Sequence, residues 1–142
     1  MIISSFRGEY QFLSNFYPAS VTFDEVSYPT VEHAYQAAKT WRLDKRMWVR
    51  GQTTPGKAKW AGKALPLRED WEQVKLQIME ELVLCKFTKH VGLREKLSAT
   101  GDAELVEGNN WGDIFWGICN GAGGNHLGKI LMKIREKLSG DC

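Results

Sequence analysis

Apolar side chains recur every three to four residues over two long stretches of the chain, which predicts two amphipathic helices. The first begins after Asp70, a residue suited to the N-cap position, and runs to about Lys89. The second begins after Asn125, which we also expect to cap its helix. The predicted buried faces consist of Trp71, Val74, Ile78, Met79, Leu82, Val83 and Cys85 in the first helix and of Leu127, Ile130, Leu131 and Ile134 in the second. These two helices therefore supply much of the expected core.

Shorter segments complete an α+β pattern. Val21–Phe23 and Val26–Tyr28 flank Asp24 and Glu25 and predict a β-hairpin. Residues 103–107 alternate apolar and polar side chains as a strand does, and residues 114–118 are apolar and β-like. Short helices are predicted over residues 43–50, 56–64 and 93–97, and loops over residues 12–18, 108–113 and 120–124. The pattern thus predicts a single α+β domain.

Another helix is predicted directly after Pro29, with Thr30 at its N-cap. One face of this helix is apolar and consists of Val31, Ala34, Ala38 and Trp41. A narrower second face consists of Glu32, Gln36 and Lys39, which lie at spacings of four and three residues. Such a polar row is either a solvated helix surface, the commoner case, or one edge of a binding or catalytic site. The residues alone leave both interpretations open.

Composition and charge narrow the class of protein. A length of 142 residues is that of one domain. The chain contains no apolar run long enough to cross a membrane and does not start like a signal peptide, so we expect a soluble, cytoplasmic protein. The net charge of +2 gives no support to nucleic-acid binding.

The three cysteines, Cys85, Cys119 and Cys142, lack the spacing of a metal site or a disulfide framework. The six tryptophans fit core packing, which we favour, or the lining of a ligand pocket.

Candidate chemical groups lie in three separated parts of the chain, which are Glu32, His33, Gln36 and Lys39, then Glu107, and then Asp113 with Trp116 and Asn125. Paired carboxylates suit glycosidic cleavage, because one orients a water while the other stabilises positive charge on the sugar. A desolvated lysine offers another route, in which its amine attacks C1 of the sugar and forms a Schiff base. His33 fits a hydrogen-bonded structural role or catalysis. The lysines at 57, 59 and 63 fit phosphate contact or, more simply, a solvated surface.

Seven motifs together resemble the YbiA-like, or NADAR, family. In the order of that family they are FLSNFYP at residues 12–18, YPTVEHAYQAAK at 28–39, Asp70-Trp71, Lys86-Phe87, Leu105–Glu107, DIFWG at 113–117 and NHLG at 125–128. They span nearly the whole chain, and the second motif combined with the last is the most specific part.

The resemblance implies a small, largely helical α+β fold with a small antiparallel sheet. It also implies N-glycosidase chemistry without a metal or redox cofactor. The substrates that it implies are phosphoribosylamino-pyrimidine intermediates of riboflavin synthesis or ADP-ribose attached to guanine. The catalytic residues implied are Glu32, Lys39, Glu107 and Asp113, and the substrate-binding residues are Asn15, Phe16, His33, Gln36, Trp111, Trp116, Gly117 and Asn125. In this picture Glu107 and Asp113 face the helix edge that carries Glu32 and Lys39.

Two other classes of function are compatible with the sequence. A module that binds NAD or ADP-ribose without cleaving it has less need of so many ionisable groups, so we rank it second. A nucleic-acid binder is ranked last because the net charge is close to zero.

Overall fold

The computed structural model describes residues 1–140, in which helices take about half of the chain. The α-helices are α1 (Val31–Ala38), α2 (Leu43–Arg50), α3 (Pro55–Gly62), α4 (Trp71–Lys89), α5 (Val91–Ala99) and α6 (His126–Ser139), and a 3₁₀ helix covers Gly8–Leu13. The strands are β1 (Ile2–Ile3), β2 (Val21–Phe23), β3 (Val26–Tyr28), β4 (Glu104–Leu105), β5 (Gly108–Asn109) and β6 (Ile118–Cys119). The predicted α+β class is confirmed.

The strands form three two-stranded sheets, of which the sequence predicted one. Strands β2 and β3 form the expected antiparallel hairpin. Asp24 and Glu25 join them with φ of 47° and 65°, the left-handed conformation that a tight two-residue turn needs. The other two sheets are parallel, β1 with β4 and β5 with β6. Their strands have two residues each, which is too short for an alternating pattern to reveal.

Several predicted boundaries are corrected by the structure. The strand expected over residues 103–107 is reduced to β4. The strand expected over residues 114–118 is wrong, because only Ile118 of that segment is in a strand, β6, and Ile114 is exposed. The first two residues of the loop expected over residues 108–113 form β5 instead. The helix expected over residues 93–97 extends over the whole of α5.

Residues 15–89 form one compact unit, and α1 lies at its centre. Helix α1 contacts α2, α3, α4 and both strands of the hairpin, and all eight of its residues are buried. The side chain of Thr30 accepts a hydrogen bond from the His33 main-chain N–H at 3.0 Å, so the predicted N-cap is confirmed. Helix α1 is therefore a core helix of this unit.

The tryptophans depart from the predicted core role. Trp71 is buried beside Tyr35, with ring centroids 5.1 Å apart. Helix α1 ends at Ala38, so Trp41 falls beyond it, is 62% exposed and lies 3.6 Å from the Arg68 guanidinium. Its predicted place on the apolar face of α1 was wrong. The other exposed tryptophans are Trp48, Trp60 and Trp111.

Helix α4 buries most of the predicted face, including Ile78, Met79 and Leu82. It also buries Lys86, which the pattern did not predict. The helix begins just after Asp70, as expected, and the carboxylate of Asp70 pairs with the Arg68 guanidinium at 2.6 Å. In residues 1–140 we find no helix with both the length and the apolar character that a membrane span requires.

The second compact unit joins residues 1–14 to residues 90–140. Helix α6 packs against β4 and α5 here, and the four apolar residues predicted for its inner face are buried. The thiols of Cys85 and Cys119 are free, and Cys142 lies outside the described residues.

Candidate active site

The polar row on α1 is buried. Glu32 is 7% exposed and Gln36 is 4% exposed, and the Gln36 side-chain amide donates to the Glu32 carboxylate at 3.0 Å. Lys39 follows at the C-cap position of the helix and is half-buried. The interpretation of this row as a solvated surface, which the sequence favoured, is therefore wrong. A buried carboxylate needs hydrogen bonds or a charged neighbour to offset its lost hydration, and this row supplies both.

A glycine on the neighbouring helix makes room for this row. Gly62 of α3 lies directly against the Gln36 side chain, and a β-carbon at that position would overlap the Gln36 amide oxygen. That oxygen, Oε1, is buried and has no hydrogen-bond partner among the described residues. A buried polar atom without a partner is uncommon, so this oxygen is a feature of the Glu32–Gln36 row that the packing of α1 against α3 does not explain.

The environment of Lys39 lowers the pKa of its side chain. Burial lowers the pKa of Lys39 below its usual value of 10.5, and the positive charges of Lys59, Lys63 and Lys75 lower this pKa further. The nearby carboxylate of Glu32 acts in the opposite direction. A lysine with a lowered pKa carries more of the free amine, which is the nucleophilic form.

Two residues of the first motif, Asn15 and Phe16, belong to the same unit as α1. The main-chain oxygen of Asn15 accepts from the Glu32 N–H at 3.1 Å, and its side-chain amide lies 3.5 Å from the Met79 sulfur. Asn15 thus fixes the start of α1 and the position of Glu32. Phe16, beside it, is 41% exposed and presents its ring at the surface.

His33 is held by protein groups on both ring nitrogens. Nε2 lies 2.9 Å from the Gln52 carbonyl oxygen, and Nδ1 lies 2.8 Å from the Thr30 hydroxyl. Because a carbonyl only accepts, Nε2 carries a hydrogen and Nδ1 is left to accept from Thr30. His33 is also only 2% exposed, so its geometry favours the structural interpretation over substrate contact.

In the second unit, Asn109 holds Glu107 and Asp113 in one loop. Its side-chain nitrogen donates to the Glu107 carboxylate at 3.2 Å and to the Asp113 main-chain oxygen at 2.8 Å. Its side-chain oxygen accepts from the Asp113 N–H at 3.0 Å. Sequence reasoning missed Asn109, although its place in a Gly-Asn-Asn segment is typical of a side chain that organises a turn.

The carboxylate of Asp113 is itself engaged by the loop. Its Oδ1 accepts from the N–H groups of Phe115 and Trp116 at 3.1 and 2.9 Å. This carboxylate therefore shapes the DIFWG segment. Beyond it, the ring of Phe115 packs on Trp116 and His126, with centroids 4.8 and 4.5 Å away. The indole of Trp116 is half-buried, whereas Trp111 is 54% exposed.

Asn125 does not cap α6 through its side chain, contrary to the sequence-based expectation. It has a left-handed backbone with φ of 50°, and its side chain reaches back toward the strands. The amide donates to the Leu105 oxygen at 3.0 Å and accepts from the Glu107 N–H at 2.9 Å. Asn125 thus positions the main chain of Glu107.

Gly117 lies in close contact with Glu107. A β-carbon at Gly117 would overlap both the main-chain oxygen and the carboxylate of Glu107. We expect Gly117→Ala to lower the free energy of unfolding by about 1–3 kcal/mol, because the main-chain oxygen cannot move aside freely. Urea unfolding followed by circular dichroism measures this loss.

Gly92→Ala is the matched control for that substitution. Gly92 lies in α5 of the same unit, and a β-carbon there would meet nothing within 4 Å. This variant is expected to gain up to about 1 kcal/mol through helix propensity. An equal change in the two variants would contradict the close packing of Gly117 on Glu107.

The structure thus gathers the predicted residues into two groups. Asn15, Phe16, Glu32, His33, Gln36 and Lys39 belong to residues 15–89, and Glu107, Trp111, Asp113, Trp116, Gly117 and Asn125 belong to the other unit. Within residues 1–140, no group of three or more His, Cys, Asp and Glu side chains is arranged to hold a metal ion. The catalytic and binding roles of both groups, and their expected meeting in one site, stay predictions.

Comparison with known families identifies the class of this chain. A model of the NADAR domain matches residues 4–139, and the chain belongs to that family. The solution NMR structure of the E. coli protein YbiA is similar over 99% of this chain and 85% of YbiA, with a TM-score of 0.86 and 36% sequence identity.

Curated relatives carry names that refer to an activity. An N-glycosidase of Nostoc punctiforme is 44% identical over 91% of this chain and 86% of its own length. The N-glycosidase YbiA of Shigella flexneri is 39% identical over 95% of this chain and 86% of its own length. A riboflavin biosynthesis protein of Vibrio vulnificus is 40% identical over 89% of this chain, a match that covers 35% of that longer protein.

Proposed function

We propose that this chain is an N-glycosidase that hydrolyses the bond between C1′ of a phosphorylated ribose and the nitrogen of a base. The observation that carries the proposal concerns Lys39. This residue is half-buried, its pKa is lowered, and it lies close to the buried carboxylate of Glu32. The names of the relatives from Nostoc punctiforme and Shigella flexneri support the same reaction class. As parts of this proposal we retain a cytoplasmic location and a reaction without a metal cofactor.

In the first step the neutral amine of Lys39 attacks C1′. A C–N bond forms to the lysine, the bond between C1′ and the base breaks, and the base leaves with a proton that the amine gives up. Positive charge develops on the ribose in the transition state, and the carboxylate of Glu32 stabilises it. The buried setting of Glu32 makes that stabilisation stronger than it is in water.

The second step releases the sugar. The ribosyl-lysine opens its ring, so that C1′ and the lysine nitrogen share a double bond and the ring oxygen becomes a hydroxyl. Water adds to this Schiff base, and its collapse returns the free amine and the aldehyde form of the sugar phosphate. Sodium borohydride reduces a Schiff base, so the intermediate is chemically trappable. Direct attack by water, in which Lys39 only contacts the sugar hydroxyls, is the alternative route.

Three further lysines bear on the choice of substrate. Lys59, Lys63 and Lys75 are close enough to Lys39 to depress its pKa. Lys75 is paired with Glu72 at 2.7 Å. The positive charge of Lys59 and Lys63 attracts a phosphate, as the substrates implied by the family resemblance require. We therefore propose ribose 5-phosphate or ADP-ribose as the sugar product, with a pyrimidine or a guanine as the base released.

The test incubates the protein separately with a phosphoribosylamino-pyrimidine and with an ADP-ribosylated guanine base, and separates the products by chromatography. Release of free base from either substrate, at a rate above that without protein, supports the proposal. Calorimetry with ADP-ribose distinguishes the second-ranked function. Binding of ADP-ribose with no base released from either compound would instead favour a non-catalytic binding module.

A further inference from the structure

Two exposed tryptophans lie side by side on neighbouring helices of the first unit. Trp48 of α2 is 40% exposed and Trp60 of α3 is 65% exposed. Their ring centroids are 6.2 Å apart in an edge-to-face arrangement. Neither indole is needed to fill the core, and leaving large apolar rings in water is unfavourable. This pair is therefore a candidate contact surface that the proposed glycosidase reaction does not use.

The chain segment that carries the pair is strongly basic. Residues 41–63 contain seven lysines and arginines against one acid, Asp44, a net charge of +6. The whole chain carries +2, so the remaining residues carry −4. Asp44 is itself paired with Arg42 at 2.8 Å, and the buried Arg46 is paired with Asp24 of the hairpin at 2.7 Å. With Asp24 counted, the charge of this part of the molecule is +5. The small net charge of the chain thus results from a basic segment and an acidic remainder. The charge of the basic segment is compatible with nucleic-acid binding, although the chain as a whole is nearly neutral.

Lysines flank both rings. The Lys45 amine lies 5.9 Å from the centre of the Trp48 ring. Lys57 precedes Trp60 by three residues on α3, so it lies on the same side of that helix, and it is exposed. Its amine donates a hydrogen bond to the Thr53 hydroxyl at 3.1 Å. We call Lys45, Trp48, Lys57 and Trp60 the tryptophan–lysine face.

We propose that the tryptophan–lysine face binds single-stranded nucleic acid without sequence preference. Unpaired bases stack on exposed aromatic rings, and lysines beside those rings meet the phosphates that link the bases. A duplex keeps its bases stacked inside, so its bases do not reach the indoles. A second copy of this chain is a poor occupant, because it would bring two positively charged segments together. The face lies outside the residues assigned to catalysis, so this inference does not depend on the proposed reaction.

The test measures fluorescence anisotropy of a labelled oligothymidylate of about 20 nucleotides with the full chain. We expect saturable binding that weakens as salt is raised. Trp60→Ala is expected to weaken binding by about fivefold or more, and Trp60→Phe to restore most of the loss. Lys57→Glu is expected to weaken binding. It is also expected to reduce the slope of log binding constant against log salt concentration by roughly 0.7, the value for one lost phosphate contact on a single strand.

Lys137→Glu is the matched charge control, because Lys137 is an exposed lysine of α6 in the other unit. The Lys137→Glu variant is expected to bind oligothymidylate as tightly as the unmodified chain does. The proposal is overturned if oligothymidylate does not bind at low salt, if Trp60→Ala and Lys137→Glu bind equally well, or if a duplex of equal length binds as tightly as the single strand. Binding to anionic phospholipid vesicles but not to oligothymidylate would also overturn it. Base release from the glycosidase substrates is assayed separately, so a failure of the proposed reaction is distinguishable from a failure of oligothymidylate binding.

Discussion

Lys39→Ala is expected to lower the rate of base release by about 10³-fold or more, because it removes the amine that we propose as the nucleophile at C1′. With the unmodified chain, borohydride added during turnover is expected to leave a stable adduct of the sugar phosphate on Lys39. Single-turnover kinetics measures the rate, and peptide mass spectrometry locates the adduct. Because the pKa of Lys39 is lowered, the rate is expected to rise with pH through a value below 10.5, as the amine loses its proton.

Two control variants distinguish a nucleophilic role of Lys39 from a role that needs only its positive charge. Lys39→Arg retains a positive charge but cannot form the Schiff base, so it is expected to be as inactive as Lys39→Ala. Lys137→Ala removes an exposed lysine of α6 and is expected to keep full activity. If Lys39→Arg retained most of the activity, or if no adduct formed during turnover, Lys39 would contact the sugar and water would attack C1′ directly.

Lys86→Met is expected to stabilise the fold near neutral pH and to remove much of the rise in stability with pH. Lys86 is 1% exposed in α4, and burial lowers its pKa from 10.5 to about 7. Between these two values the unfolded chain binds a proton that the folded chain does not, so the free energy of unfolding increases as pH rises. Below about pH 7 both states are protonated and the cost of burying the charge is largest, of the order of a few kcal/mol.

Urea unfolding at a series of pH values from about 6 to 9.5 tests this expectation. The unmodified chain is expected to gain stability steadily above about pH 7. The Met variant is expected to gain less over the same range, because the lowered pKa of Lys39 still contributes to the rise. The difference in the free energy of unfolding between the two proteins is therefore largest at the lowest pH of the series. Lys89→Met is the control, because Lys89 ends the same helix and is exposed. Parallel curves for the unmodified chain and Lys86→Met would show that Lys86 keeps an ordinary pKa in the fold.

Much of the fold could be predicted from local chemistry. The hairpin of β2 and β3, the Thr30 cap and the inner faces of α4 and α6 were predicted because each depends on residues close together in the sequence. The parallel pair β1–β4 was missed because its partners are far apart in sequence, as in the pairing of Ile2 with Glu104. The parallel pair β5–β6 was missed because each of its strands has two residues. Asn109 was missed for a different reason, because the Gly-Asn-Asn segment indicates a turn but does not show which groups the side chain contacts.

By itself, the sequence determined that Glu32, Gln36 and Lys39 share one side of a capped helix, because the helical period alone places them there. It also carried the family motifs, whose order does not depend on folding. Only the tertiary structure decided that this side is buried, because Gly62 of α3 allows close approach to Gln36. It likewise decided that Lys86 is inside and that Trp48 and Trp60 are outside. The physical reason is that burial depends on which elements pack against a helix, and a local pattern does not contain that information.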